Sequence, residues 1–130
     1  MIIAVLIVVL GIVAFIIYSF SFVRVCGSSM YPSYIDGDII FAYRIYNKHR
    51  IKKGDVVVFI RREDAVINDK GIPEPYVIKR VQDIQDKDGV LKFYCLGDNS
   101  EDSFDSRYYG YINSGCIKFK PFRQVDRRNI

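Results

Sequence analysis

Residues 76–96 read YVIKRVQDIQDKDGVLKFYCL. Two runs rich in Val, Ile, Phe and Tyr flank an Asp88-Gly89 pair, which predicts strands over Tyr76 to Gln85 and Leu91 to Leu96 reversed by a tight turn. Lys79 stands inside the first run, where the two-residue period of a strand can turn its amine toward a core. The same texture extends outward. Phe22 to Cys26, Asp38 to Ile45 and Asp55 to Arg62 predict strands upstream, punctuated by Asp36-Gly37 and Lys53-Gly54, and Cys116 to Phe119 predicts a last strand downstream. Asp64 to Pro75, polar and carrying Gly71, Pro73 and Pro75, is expected to be an exposed loop, and Arg123 to Ile130 a loosely held tail. The fold class expected is mainly β, with a small all-β domain over residues 24–130.

Ahead of that domain, residues 1–23, MIIAVLIVVLGIVAFIIYSFSFV, contain no Asp, Glu, Lys or Arg. As a helix they are long enough to span the roughly 30 Å hydrocarbon core of a bilayer. A cleaved signal peptide would carry a basic leading segment and a shorter apolar run, so a retained single-pass anchor is expected, although Ser19 and Ser21 form a weak S-x-S exit. Charge leaves the orientation open. Arg24 directly after the anchor favours an inward domain, but long segments translocate largely regardless of charge.

The net charge of +4 therefore belongs to the 107 residues after the anchor, and its basic groups are scattered, which reads as an ordinary solvated surface in preference to one for anionic headgroups or nucleic acid. Three cysteines without C-x-x-C spacing and a single histidine, His49, argue against zinc. Cys26 lies three residues from Ser29 with no histidine to activate it, so buried packing is its expected role. Cys95 and Cys116 can pair only if the fold brings them together, which spacing does not establish.

Two islands break the strand texture. One is GSSMYPS, residues 27–33, where Ser29 falls in a small-residue turn whose backbone N–H groups can converge on a developing oxyanion; the bland alternative is a helix-capping serine. The other is GDNSEDSFDSRYYG, residues 97–110, too poor in glycine and glutamate at the required places for a calcium loop, and better used as a polar network around a buried amine. Serine with a buried lysine is one of the few hydrolytic pairs that needs no histidine. Left in water, Lys79 would stay protonated near pKa ~10.4, and burial is what would make it a base.

Together these segments resemble the type I signal peptidases, membrane-anchored Ser-Lys endopeptidases of the S26 kind, in a short Gram-positive-like form. The likeness rests on GSSMYPS, DGDII, KKGDVVVF, YVIKRV and GDNSEDSFDSRYYG in that order. It implies Ser29 as nucleophile and Lys79 as base, with Ser103 hydrogen-bonding the amine, an Asp105–Arg107 ion pair in support, and Asp98 paired with Arg80. Val23, Val25, Met30 and Ile78 match positions lining shallow pockets for small side chains, hence cleavage after A-x-A. It also implies preprotein substrates, a membrane-lipid setting, no nucleic acid, no metal or other cofactor, and a domain on the outer side of the cell membrane.

Some positions depart from the best-known pattern. Gly27 stands where Gram-negative members carry an oxyanion-assisting serine, so the Ser29 N–H is left to do that work. Ser100 replaces an arginine, and only 17 residues separate Lys79 from Gly97, too few for the inserted β domain of larger members. That shortness is similar to the endoplasmic-reticulum branch, which has histidine at the place of Lys79. The alternative class is a non-catalytic, membrane-anchored β module that holds preproteins by edge-strand pairing, a role needing neither Ser29 nor Lys79.

Overall fold

A computed structural model describes residues 1–61, 66, 67, 73, 74 and 76–129. Helix α1 (Ile2–Ser19) has 18 residues and is long and apolar enough to cross a membrane. At 1.5 Å per residue it is about 27 Å long, close to the thickness of the hydrocarbon core. Residues 2–18 are all exposed, an apolar surface all round with no protein over it.

The apolar run read as an anchor to residue 23 changes conformation earlier. Strand β1 (Phe20–Arg24) begins directly after Ser19, because from Phe20 onward the alternate residues find partners on β2 (Ile39–Arg44), from Phe20 opposite Tyr43 to Arg24 opposite Ile39. Arg44 fixes the junction. Its Nε donates to the Tyr18 carbonyl at 2.9 Å while its guanidinium lies 3.9 Å from the Tyr18 ring centroid, so a cation satisfies an orphan carbonyl at the negative end of the helix.

The remaining elements are β3 (Val56–Ile60), β4 (Val66–Ile67), β5 (Pro73–Glu74), β6 (Tyr76–Lys87), β7 (Val90–Leu96), a short helix α2 (Ser106–Tyr109), β8 (Ile112–Asn113) and β9 (Ile117–Pro121). Seven strands form one antiparallel sheet in the order β1-β2-β9-β3-β6-β7-β8, and β4 with β5 forms a separate two-stranded ladder. The expectation of a loop over Asp64 to Pro75 otherwise falls outside the described residues. Asp88 and Gly89 both have positive φ, 54° and 81°, which suits the two-residue reversal that sets Lys87 opposite Val90.

Buried residues sit on both faces of the central strands. Val56, Val58 and Ile78 join Val23, Val25, Met30, Tyr34, Ile40, Ala42 and Phe119 in one cluster, whereas Val57, Phe59 and Val81 join Phe93, Cys95, Ile112 and Ile117 in the other. This explains why β3 reads as an unbroken apolar run, VVVFI, instead of alternating.

Two expectations are corrected here. Cys26 is exposed, because it follows Val25 out of the cluster at the end of β1. The C-terminal segment is held down: Tyr34 donates its hydroxyl to the Arg123 carbonyl at 2.9 Å and accepts the Val125 N–H at 3.1 Å, and the Gln124 amide bonds both backbone groups of Val56. Composition marks residues 123–129 as polar, but their backbone partners lie about 70 to 90 residues upstream, so no local pattern announces them.

Candidate active site

Three segments meet at Ser29. The first is the turn leaving β1, where the Tyr31 N–H bonds the Ser28 carbonyl at 3.1 Å and places Ser29 at the bend. The second is β6, whose Lys79 lies opposite Val57 and so rises on the face of the Phe59, Val81 and Cys95 cluster. The third is the polar loop after β7. Asn99 clips it to the first, its N–H donating to the Ser29 carbonyl at 2.9 Å and its side-chain amide to the Ser28 carbonyl at 3.1 Å, while the Ser28 hydroxyl donates to Asp102.

Lys79 Nζ donates to Ser29 Oγ at 2.6 Å. The lysine is only 5% exposed, and burial pulls its pKa down from 10.5 to about 8 against the opposing pull of the Asp105, Asp102 and Asp98 carboxylates. The same enclosure pushes the Cys95 thiol up to about 12, so Cys95 stays a neutral packing group. Cys95 and Cys116 are both free thiols.

Ser103 turns its hydroxyl to Asp105 Oδ2 at 2.7 Å and makes no hydrogen bond to Lys79. The buried carboxylate collects several donors: besides Ser103 it accepts the Gly97 N–H at 2.9 Å and Arg107 Nε and Nη2 at 2.9 and 2.8 Å. Burial opposes the charge of Asp105 most strongly, but these bonds outweigh it and hold the carboxyl well below the usual range. Asp105 thus organises the loop and supplies a negative charge near the amine. The Ser106 hydroxyl anchors the same loop to β7 by accepting the Cys95 N–H at 2.9 Å.

On the other face of β6, Arg80 Nε and Nη2 grip Asp98 bidentately, both at 2.8 Å, and Asp98 also accepts the Ser33 hydroxyl at 2.6 Å. Both charges are buried. Val23, Val25, Met30 and Ile78 lie together in the first cluster, none more than 7% exposed. Among the described residues no group of three or more His, Cys, Asp or Glu is placed to hold a metal ion.

Sequence reasoning missed Ser33, Asn99 and Gly97. Gly97 is required by space: a Cβ there would lie 2.6 Å from the Ser29 carbonyl oxygen and 2.7 Å from Ser103 Cβ. Gly97→Ala is expected to displace Ser29 without unfolding the sheet, lowering kcat/KM by ~10²-fold, the effect of an ångström-scale misplacement. Peptide kinetics with circular dichroism check this; an alanine variant with wild-type kinetics would show that the contact yields.

Comparison with known proteins agrees with this architecture. A family model described as signal peptidase, peptidase S26, matches residues 1–85, a span that holds α1, Ser29 and Lys79 and ends before the Gly97–Gly110 loop. No curated protein matches the chain. With 85 of its 130 residues matched, the chain belongs to the signal peptidase family, peptidase S26.

Proposed function

We propose that this peptidase removes signal peptides from translocated preproteins by cutting after small-x-small motifs, with Ser29 as nucleophile and Lys79 as general base. The observation that carries the reading is the 2.6 Å contact between Ser29 Oγ and a buried Lys79 amine whose pKa is drawn down to about 8. Such an amine is neutral in a useful fraction of molecules near pH 8. It then accepts the Ser29 proton as Oγ attacks the scissile carbonyl, and the resulting ammonium donates that proton to the departing amine. Water, deprotonated by the same amine, releases the acyl group in the second half of the reaction. No acceptor among the described residues engages the Ser29 N–H, which leaves it for the oxyanion.

The shallow edges of Val23, Val25, Met30 and Ile78 suit alanine-sized side chains, and β1, at the edge of the sheet, offers unpaired backbone groups to an extended peptide. A binding module would use that edge equally well. It would have no use for a lysine held in its destabilised, buried form beside a serine, so the enzyme reading is preferred.

The full chain in detergent should cleave a peptide carrying A-x-A, with kcat/KM rising as pH rises through about 8, since only the neutral amine is competent. Bulky residues in place of the two alanines should stop cleavage. No product from the A-x-A peptide at any pH between 7 and 10 would end the proposal.

The catalytic domain is proposed to lie on the outer side of the membrane with α1 as its single span. Cys26 is exposed and reports on this. An impermeant thiol reagent should label it in intact cells; labelling only after permeabilisation would place the domain inside.

A further inference from the structure

Strands β1 and β2 turn half of their side chains away from the core, and there they build an aromatic face. Phe20 stacks on Phe41 and on Phe122 with centroids 5.7 and 5.9 Å apart, Phe22 meets Phe41 at 5.0 Å, and Phe41 meets Phe122 at 5.0 Å. Phe22, Ile39 and Phe122 are 73%, 68% and 53% exposed. Because Phe20 follows the last residue of α1, this face continues the apolar surface of the helix itself.

Beside that face runs a groove of about 440 Å³ between β2 and the C-terminal segment. Ile39, Phe41 and Phe122 form its apolar rim, and Arg123 and Arg127 line its other side. Neither guanidinium makes a hydrogen bond or ion pair among the described residues, although the backbone of both residues is tied down by Tyr34 and Ser33. Asp38, the one carboxylate on the lining, accepts the Ile35 N–H at 2.9 Å, and the nearby Asp126 is taken by Arg128. Two unpaired cations thus face a concave space whose rim is continuous with a membrane-crossing helix.

We propose that this groove binds the headgroup of an anionic phospholipid, with Arg123 and Arg127 on the phosphate and the Ile39, Phe41 and Phe122 rim against its acyl chains. Planar guanidinium forks match phosphate oxygens, and fixed backbones on both arginines lower the ordering needed to engage them. The rim selects a lipid over a free anion, because a soluble phosphate would leave those apolar side chains in water. Basic groups beside a bilayer are attracted to anionic leaflets in any case; here the concavity converts that attraction into a site.

The test is direct binding, so it does not depend on proteolysis. The full chain in mild detergent is offered equimolar phosphatidylglycerol and phosphatidylcholine, and retained lipid is counted by native mass spectrometry. Wild type should retain one phosphatidylglycerol in preference to phosphatidylcholine by about thirtyfold, the size expected of two arginines at an anionic headgroup. R123Q/R127Q should fall to parity, and Phe122→Ser should lose much of the retained lipid of either kind. K87Q/K92Q removes the same charge from the exposed β6–β7 hairpin and should keep the preference. Millimolar inorganic phosphate should not displace the lipid. Equal retention of the two lipids by wild type, an unchanged preference in R123Q/R127Q, an equal loss in K87Q/K92Q, or displacement by inorganic phosphate would each overturn the assignment.

Discussion

Lys79→Met is expected to abolish peptide cleavage and, at the same time, to make the domain more stable at neutral pH. Abolition follows if Lys79 is the base, since a thioether accepts no proton; the loss should reach ~10⁴-fold or more, as for other residues that act as a unit with their nucleophile. Ser29→Ala should do the same while removing one hydroxyl and no core volume, and Lys79→Arg should fail because a guanidinium stays protonated. The stability gain has a separate origin. Holding the amine's pKa at about 8 in place of 10.5 means that the fold disfavours the ammonium, by roughly 3 kcal/mol below pH 8. Loss of the bond to Ser29 offsets ~1 kcal/mol of that, leaving a net gain of roughly 2 kcal/mol for the methionine.

The sign can be checked against pH. Between about 8 and 10.5 the unfolded chain binds more protons at this site than the folded one, so wild-type stability rises across that window. The methionine variant has no such rise. Its advantage should be largest below pH 8 and should shrink through the window, turning into a small deficit above it where only the lost bond remains. Denaturant unfolding in detergent at pH 7 and pH 10.5 measures both ends. Turnover surviving in Lys79→Met would remove Lys79 from the mechanism, and a pH-independent stability difference would show that the buried amine carries no charging penalty.

Asp98→Ala is expected to destabilise the domain by about 3–5 kcal/mol, because it strands the Arg80 guanidinium in the core with its bidentate partner gone. Catalysis should collapse with it. Arg80 is next to Lys79, Asp98 is flanked by Gly97 and Asn99, and the third donor to the carboxylate, Ser33, is four residues past Ser29. One buried carboxylate therefore fixes all three segments of the site. Asp126→Ala is the contrast: its partner Arg128 is about two-fifths exposed, and an exposed pair contributes ~0–1 kcal/mol. If Asp98→Ala unfolded within 1 kcal/mol of wild type, the buried pair would not be the structural pin of the site.

Much of this was legible in the chain because the signals are local. Asp88-Gly89 between two β-branched runs announces a hairpin from six residues of context, and an uncharged run of membrane length announces a helix from composition alone. Ser29 and Lys79 stood out because a serine in a small-residue turn and a lysine inside an apolar strand are each unusual beside their immediate neighbours. What the sequence could not supply was the set of contacts between residues tens of positions apart. The run to Val23 is uncharged throughout, so only the register of Phe20 against Tyr43 decides that the helix ends at Ser19. Alternation in β6 places Lys79 on one face and Arg80 on the other, but the burial of both faces depends on β3 carrying a packed cluster on each side. Ser103 reads as a partner for the amine, and only the fold shows that its hydroxyl proton goes to the buried Asp105 carboxylate. The C-terminal segment reads as a loose polar tail until Ser33, Tyr34 and Val56 supply its hydrogen bonds from across the domain. By itself the sequence determined which residues are chemically able to react and which segments form strands; the tertiary structure decided which of them meet, because burial and hydrogen-bond demand are properties of the whole packed chain and not of any window along it.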